Sequence, residues 1–396
     1  MTQPRDSLRK AALGSLTAVA VTATLAMPLS TASAADAGRG ATGRSGTDFQ
    51  RSLDDIVKEG VVGAEATLVN GRARTSLRSG TAELGTDRPM PRQGYFRMGS
   101  NTKTFVSTVM LQLVGEGRIR LDDKVDRWLP GVVEGNGNDG KRITVRQLLQ
   151  HTSGLPDYDG SLPVFDEESF QKHRLDAYEP RELVDLALRN RPLFEPGKGW
   201  GYSNTGYILA GMIIEKVTGR HWSDEVRARI IEPLGLRHTF SSGRRTGLPQ
   251  PYAQSYQQFK PGGRIVDSTE VSMTWGGAAG DLVTTPNDLA RFWQSLLGGK
   301  LLAPKLLAQM QKTVPAREEG DTETKEEYGL GIFRTKLSCG GGYWGHGGTT
   351  LGHLNANGFV DKGKKGVIVM RSTNLAQEDR DKRTEQLVDD ALCRKK

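Results

Sequence analysis

The chain has 396 residues, 36% of them hydrophobic and 25% charged, which describes a soluble globular protein long enough for one large domain or two ordinary ones. Its formal net charge of +8 is scattered, with no basic run interleaved with aromatics, so no nucleic-acid partner follows from it. The six histidines form no H-x-x-x-H or H-E-x-x-H pattern, and neither a P-loop nor a G-x-S-x-G elbow occurs, so no metal or other cofactor is expected.

The N-terminus stands apart. Arg5, Arg9 and Lys10 precede an apolar run from Ala11 to Leu29, closed by Ala32-Ser33-Ala34. A charged head, an apolar stretch and a small-residue site make residues 1–34 a secretory signal peptide, cleaved after Ala34. The same run could be read as a membrane anchor, but its Ala and Thr content and Pro28 favour cleavage. No cysteine lies near the cleavage site, which excludes a lipid anchor there. The exported chain then carries a formal +6 and no membrane anchor, and is expected to be a monomer. Its two cysteines, Cys339 and Cys393, most simply pair in an oxidising compartment.

Residues 35–47 are small and polar and read as a flexible linker, leaving 48–396 as one domain. Phe49, Leu53, Ile56 and Val57 recur at helical spacing, up to Gly60. Two extended runs follow, Val61–Val69 and Arg72–Leu84, separated by Asn70-Gly71, a strong hairpin sequence. Tyr95–Met98 is a short extended lead into Met98-Gly99-Ser100-Asn101-Thr102-Lys103-Thr104-Phe105, where an apolar helical pattern begins.

From residue 100 to about 311 the pattern is mainly helical, with segments near 123–129, 143–150, 180–190, 205–218, 223–232, 286–297 and 304–312. Thr144, Ser223 and Thr285-Pro286 supply helix starts, and 241–275 reads as irregular or weakly extended. Beyond Tyr328 strands return, at 329–337, 343–352, 356–360 and 366–371, before a helix over 377–393. Strands at both ends with helices between predict an α+β fold. One antiparallel sheet is built from both chain ends and flanked by helices, with a mainly helical subdomain inserted over roughly 100–311.

Ser100 and Lys103 stand three apart at the start of that first long helix, so the ammonium lies beside the hydroxyl. The helix N-terminus favours developing negative charge, and a lysine so placed can take or relay the serine proton. Alone the pair reads first as a helix cap with a solvated lysine. Two loop clusters add chemistry: Gly201-Tyr202-Ser203-Asn204 before a helix, and Trp344-Gly345-His346-Gly347-Gly348-Thr349 beside a strand. A tyrosine whose pKa is lowered by a neighbouring ammonium can relay protons. Asn204 can offer its amide either to Lys103 or to a substrate carbonyl. The glycine-rich edge lets backbone approach a substrate closely.

The order S-x-x-K, Y-x-N, H-x-G resembles the serine β-lactamase and penicillin-binding superfamily, in its class C and esterase branch. The resemblance runs from about Phe49 to Cys393. It includes His151-Thr152-Ser153-Gly154-Leu155, Pro196-Gly197 ahead of Tyr202, and Gly276-Gly277-Ala278-Ala279-Gly280 leading into Thr284-Thr285-Pro286. More closely, the chain is similar to soluble exocellular D-alanyl-D-alanine carboxypeptidases. These carry a histidine where β-lactamases usually carry lysine, and a cysteine seven residues before it bridged to one near the C-terminus, as Cys339, His346 and Cys393 would be.

The resemblance implies Ser100 as acylated nucleophile and Lys103 with Tyr202 as the proton-transfer pair. It implies that His346 polarises Tyr202 and the leaving group, that Asn204 orients substrate, and that Trp275 lines the cleft. The oxyanion would be held by N–H groups of Ser100 and Thr349, beside Gly348. It implies a secreted D-Ala-D-Ala carboxypeptidase or transpeptidase acting on peptidoglycan stem peptides and acylated by penicillins. The same scaffold also serves β-lactamases, esterases and D-amino acid amidases, and a wall protein that recognises penicillin without turnover is the remote alternative. Two carboxylate-binding features of the carboxypeptidases differ here. A hydroxyl residue tends to follow their histidine where Gly347 stands, and an arginine six residues before the cysteine falls on Phe333, with Arg334 adjacent.

Overall fold

The segment Lys365–Arg371 organises the fold, because it is apolar, β-branched and buried on both faces. Val367 and Val369 face a cluster with Phe49, Leu53, Leu387 and Val388, whereas Ile368 and Met370 face one with Phe292, Trp293 and Phe359. Successive side chains of a strand point to opposite faces, so a continuous apolar run asks for cover on both. The computed structural model describes residues 40–317, 324–376 and 380–394.

The large sheet has nine strands: β1 (Gly63–Asn70), β2 (Ala73–Gly80), β3 (Val314–Pro315), β4 (Glu326–Tyr328), β5 (Phe333–Lys336), β6 (Gly342–Gly345), β7 (Gly348–Thr349), β8 (Leu354–Val360) and β9 (Lys365–Arg371). Their spatial order is β3-β4-β5-β6-β8-β9-β1-β2, with β7 pairing β8, and every pairing is antiparallel. Chain ends therefore meet at the centre, where Ala66 of β1 lies opposite Val369 of β9. The expected hairpin forms with Asn70 paired to Ala73, so Gly71 and Arg72 are the loop residues.

On one face lie α1 (Gly40–Lys58) and the terminal helix Arg380–Cys393; on the other lie the helices of the inserted segment. Those that matter for the site are α2 (Asn101–Gly115), α3 (Asn204–Thr218) and α4 (Pro286–Leu297). Helix α2 is buried almost all round, as a central helix with apolar residues on every side should be. Phe105 of α2 stacks on Phe292 of α4 at 3.6 Å between ring centroids.

Some expectations shift. Residues 1–34 lie outside the described residues, as do 35–39 of the expected linker. Residues 40–47, read as linker, belong to α1. Once the buried Phe49, Leu53 and Ile56 fix a helix, adding residues to its start costs far less than nucleating it. A helix over Glu167–His173, capped by Asp166, lies where no helix was expected. The helix at Trp222–Val226 starts from His221, whose ring accepts the Ser223 N–H, rather than from Ser223 itself. The stretch 241–275 contributes short strands at Tyr256–Gln258 and Ile265–Asp267, the former pairing in parallel with Thr373–Asn374. Residues 377–379, expected at the start of the last helix, lie outside the described residues.

Cys339 and Cys393 are bridged, with Cα atoms 5.6 Å apart across 54 positions. The bond ties the turn between β5 and β6 to the last helix. Replacing Cys393 by serine is expected to cost roughly 4 kcal/mol through the entropy returned to the unfolded chain. Urea unfolding of Cys393→Ser against the unsubstituted chain measures it.

Candidate active site

Ser100 occupies the N-cap of α2 with helical backbone angles, and its side chain makes no capping hydrogen bond. Its hydroxyl is instead 2.9 Å from the Lys103 ammonium nitrogen. The cap reading of this pair therefore fails. Lys103 is fully buried and its Nζ also donates to Asn204 Oδ1 at 2.6 Å and to the Ala279 carbonyl at 3.0 Å. Desolvation pushes its pKa down to about 7, against the opposing pull of Asp157 and Asp159. Near neutral pH a large share of Lys103 is then an unprotonated amine facing the serine.

Tyr202 hydrogen-bonds the Ser100 side chain, and its ring sits 4.8 Å from the Lys103 nitrogen. The expected lowering of its pKa does not occur. Burial holds the phenol well above its ordinary value, a larger effect than the hydrogen bond from Ser100 that works the other way. Tyr202 is thus a phenol that stays protonated, and of the two it is Lys103 that titrates near neutrality.

The glycine before the nucleophile explains how the sheet reaches the helix. Gly99 has φ +52°, and a Cβ there would lie 2.8 Å from the Thr349 carbonyl oxygen and 3.0 Å from its nitrogen. The backbones of Ser100 and Thr349 can run side by side only because that atom is missing. A Cβ on Gly348 would meet the Met98 carbonyl at 2.0 Å, so β7 docks on the same turn for the same reason. Three buried asparagines fasten the junction. Asn101 of α2 donates to Asn355 at 2.6 Å and accepts from Asn357 at 2.7 Å, while Asn355 donates to Gly348 O at 3.0 Å and Asn357 to His346 O at 2.6 Å. Sequence reasoning missed them; their alternation on β8 as polar residues in an otherwise buried strand was the available sign.

His346 departs from its expected role. It lines the cleft, but its Nδ1 lies 2.7 Å from the Gly347 carbonyl and its Nε2 3.0 Å from the Tyr328 hydroxyl. A carbonyl only accepts, so Nδ1 carries the proton and Nε2 takes the tyrosine's. Both nitrogens are occupied away from Tyr202. Burial pushes the ring down to about 3, so it is neutral near pH 7. A second histidine, His151, is buried among the rings of Tyr202, Tyr207 and Tyr328, with Nδ1 accepting the Ser203 N–H at 3.2 Å.

Asn204 begins α3, and its amide is committed. Its NH2 donates to Asp157 Oδ2 at 3.1 Å and to Asp159 Oδ2 at 2.9 Å, and its backbone N–H donates to Asp157 at 3.0 Å. Of the two partners the sequence left open for this amide, the lysine has it. The acids Asp157 and Asp159 were not expected; a Pro-Asp-Tyr-Asp-Gly turn carries no periodic signal beyond its alternating charge.

The cleft over Ser100 encloses about 610 Å³. Trp275 lines it as expected, with Phe165, Phe259, Phe333 and Tyr343 adding aromatic wall. Asp157, Asp159, Glu326 and Glu385 also line it, and among the described residues no arginine does. Phe333 faces the cleft from β5. Its neighbour Arg334 points to the other side and donates to Glu327 at 3.1 Å, as alternation along a strand requires. Among the described residues no cluster of His, Cys, Asp and Glu could hold a metal ion.

Residues 49–392 match the family model described as Beta-lactamase. The chain belongs to the beta-lactamase family. It is an enzyme scaffold of the serine hydrolases in that family, sharing its mixed α+β fold. It is 38% identical to a D-stereospecific amidohydrolase from Streptomyces sp., over 88% of this chain and 98% of that one, with a TM-score of 0.81. A D-amino acid amidase from Ochrobactrum anthropi, solved with L-phenylalanine amide, is 31% identical over 88% of this chain and 97% of that one, at a TM-score of 0.77. Penicillin-binding protein 4* of Bacillus subtilis is 37% identical over 169 residues, which are 42% of this chain but only 35% of that protein.

Proposed function

We propose that this protein is an acyl-enzyme hydrolase of amino-acid amides or short peptides with a free amino end, in preference to a carboxypeptidase that recognises a terminal carboxylate. The acidic lining of the cleft, with no arginine or lysine in it among the described residues, carries this reading. A substrate ending in D-Ala-D-Ala brings a carboxylate into a space lined by four acidic residues and, among the described residues, by no arginine or lysine that could pair with it, while Lys103 is spent on Ser100 and Asn204. A carboxylate desolvated in such a cleft finds no counter-charge, whereas a neutral amide needs none and an ammonium meets carboxyl oxygens that can accept from it. The aromatic wall suits an apolar side chain, and the two amidohydrolase relatives support the D configuration.

In this mechanism neutral Lys103 takes the Ser100 proton as the oxygen attacks the amide carbon. The N–H groups of Ser100 and Thr349 hold the oxyanion. The proton returns to the leaving nitrogen through the Tyr202 hydroxyl, which accepts from the lysine as it donates. Water then releases the acid by the same relay. The proposal includes export as a monomer, with the mature chain starting at Ala35; N-terminal sequencing and light scattering of protein from culture medium check both.

The decisive panel compares D-phenylalanine amide, an acylated D-alanyl-D-alanine peptide and nitrocefin. The expected result is ammonia release with kcat/KM at least about tenfold above the release of D-alanine. Faster release of D-alanine would restore the carboxypeptidase reading, and faster ring opening would favour a β-lactamase.

A further inference from the structure

The NH2 group of Asn204 has two protons, and two carboxylates take them, at 3.1 Å (Asp157) and 2.9 Å (Asp159), while its oxygen lies 2.6 Å from the Lys103 nitrogen. With both acids ionised and Lys103 as its ammonium, the orientation is fixed. Turned over, the amide would set its oxygen against two carboxylates and its N–H groups against the lysine. Asp157 is itself held, since it also accepts the backbone N–H of Asn204 at the start of α3, a bond that opposes the larger upward push of burial on its carboxyl.

We propose that Asp157 and Asp159 are positioning residues that clamp the Asn204 amide, so that its carbonyl serves Lys103 and no hydrogen bond from Asn204 reaches the substrate. The clamp has a consequence for specificity. An acylamino group on the substrate offers a carbonyl that a free Asn204 amide could bind, and here that bond is withheld. N-acylated substrates therefore gain nothing over unacylated ones. This rests on the acyl-enzyme reading of Ser100 given above.

The clamp also acts through charge. Asp157 and Asp159 are the carboxylates that face Lys103. The remaining groups around it are Tyr202 and Tyr207, whose rings lie 4.8 Å and 5.5 Å from its nitrogen, and the histidines His151 and His346, both held neutral by burial. Burial pushes Asp159 up to about 7, with the neighbouring charge of Asp157 adding to it.

Two substitutions separate the effects. Asp159→Asn keeps an oxygen that can accept from Asn204 but removes charge; Asp159→Ala removes both. Each is measured for kcat/KM across neutral pH on D-phenylalanine amide and on its N-acetyl derivative. In both variants the acid limb of the profile is expected to move down by about one pH unit, because a carboxylate that favours the ammonium form of Lys103 is gone. In Asp159→Ala alone, kcat/KM for the N-acetyl amide is expected to rise about tenfold, the worth of one released hydrogen bond. A fall confined to the unacylated amide, with no gain for the acylated one, would overturn the clamp in favour of direct ammonium binding by Asp159. An unmoved acid limb in both variants would overturn it also. NMR titration of the Lys103 ammonium reads the same shift without turnover. A wild-type protein inactive on every amide would thus sink the substrate reading, while that titration still decides the clamp.

Discussion

Ser100→Ala is expected to form no acyl adduct and to lose roughly four to six orders of magnitude in kcat/KM on any amide the enzyme cleaves. The size follows from the loss of the covalent route, since neither Lys103 nor Tyr202 can substitute for a missing nucleophile. What survives is whatever substrate binding and the Ser100 and Thr349 N–H groups contribute, because an alanine keeps its backbone N–H. Stability should change little: the hydroxyl makes no capping bond, and its partner Lys103 keeps Asn204 and the Ala279 carbonyl. Mass spectrometry after incubation with an acylating ester or penicillin, beside thermal unfolding, checks both halves. A variant that still acquires a covalent mass on another residue would end the assignment of Ser100.

The fold was legible wherever one physical signal dominated. Asn70-Gly71 between extended runs gave the hairpin, and the β-branched run ending at Met370 gave a strand with cover on both faces. The S-x-x-K spacing placed Ser100 and Lys103 together because helical geometry alone decides it. What stayed hidden depends on burial and on contacts between distant segments. The pKa of Tyr202 was expected to fall beside an ammonium, yet desolvation outweighs that influence, and no sequence pattern measures desolvation. His346 looked free for proton transfer until Tyr328, eighteen positions away, took its second nitrogen. The acids at 157 and 159 reach Asn204 across 47 and 45 positions, a contact that only the closed fold creates. The strand alternation that turns Arg334 away from the cleft was inferable in principle, because Phe333 and Arg334 cannot both face it.

Exchanging Lys103 for arginine separates charge from proton transfer. The guanidinium keeps a positive charge but stays protonated at every accessible pH, so it cannot take the serine proton. The expected loss in kcat/KM is roughly a thousandfold, within the usual range for a missing general base. The pH profile supplies the sharper test. With Lys103 at about 7, the wild-type rate rises with pH through that value as the amine loses its proton, and then levels. Lys103→Arg should show no such rise. Stability has its own sign. Between about pH 7 and its ordinary value of 10.5, Lys103 binds fewer protons in the folded chain than in the unfolded one. Its contribution to stability therefore increases with pH across that window and is at its lowest below it. Lys103→Met removes the titrating group, so urea unfolding of that variant should lose this upward slope while its activity falls with that of the arginine variant. A Lys103→Arg enzyme that kept both the wild-type rate and its rise through neutrality would show that some other group accepts the proton.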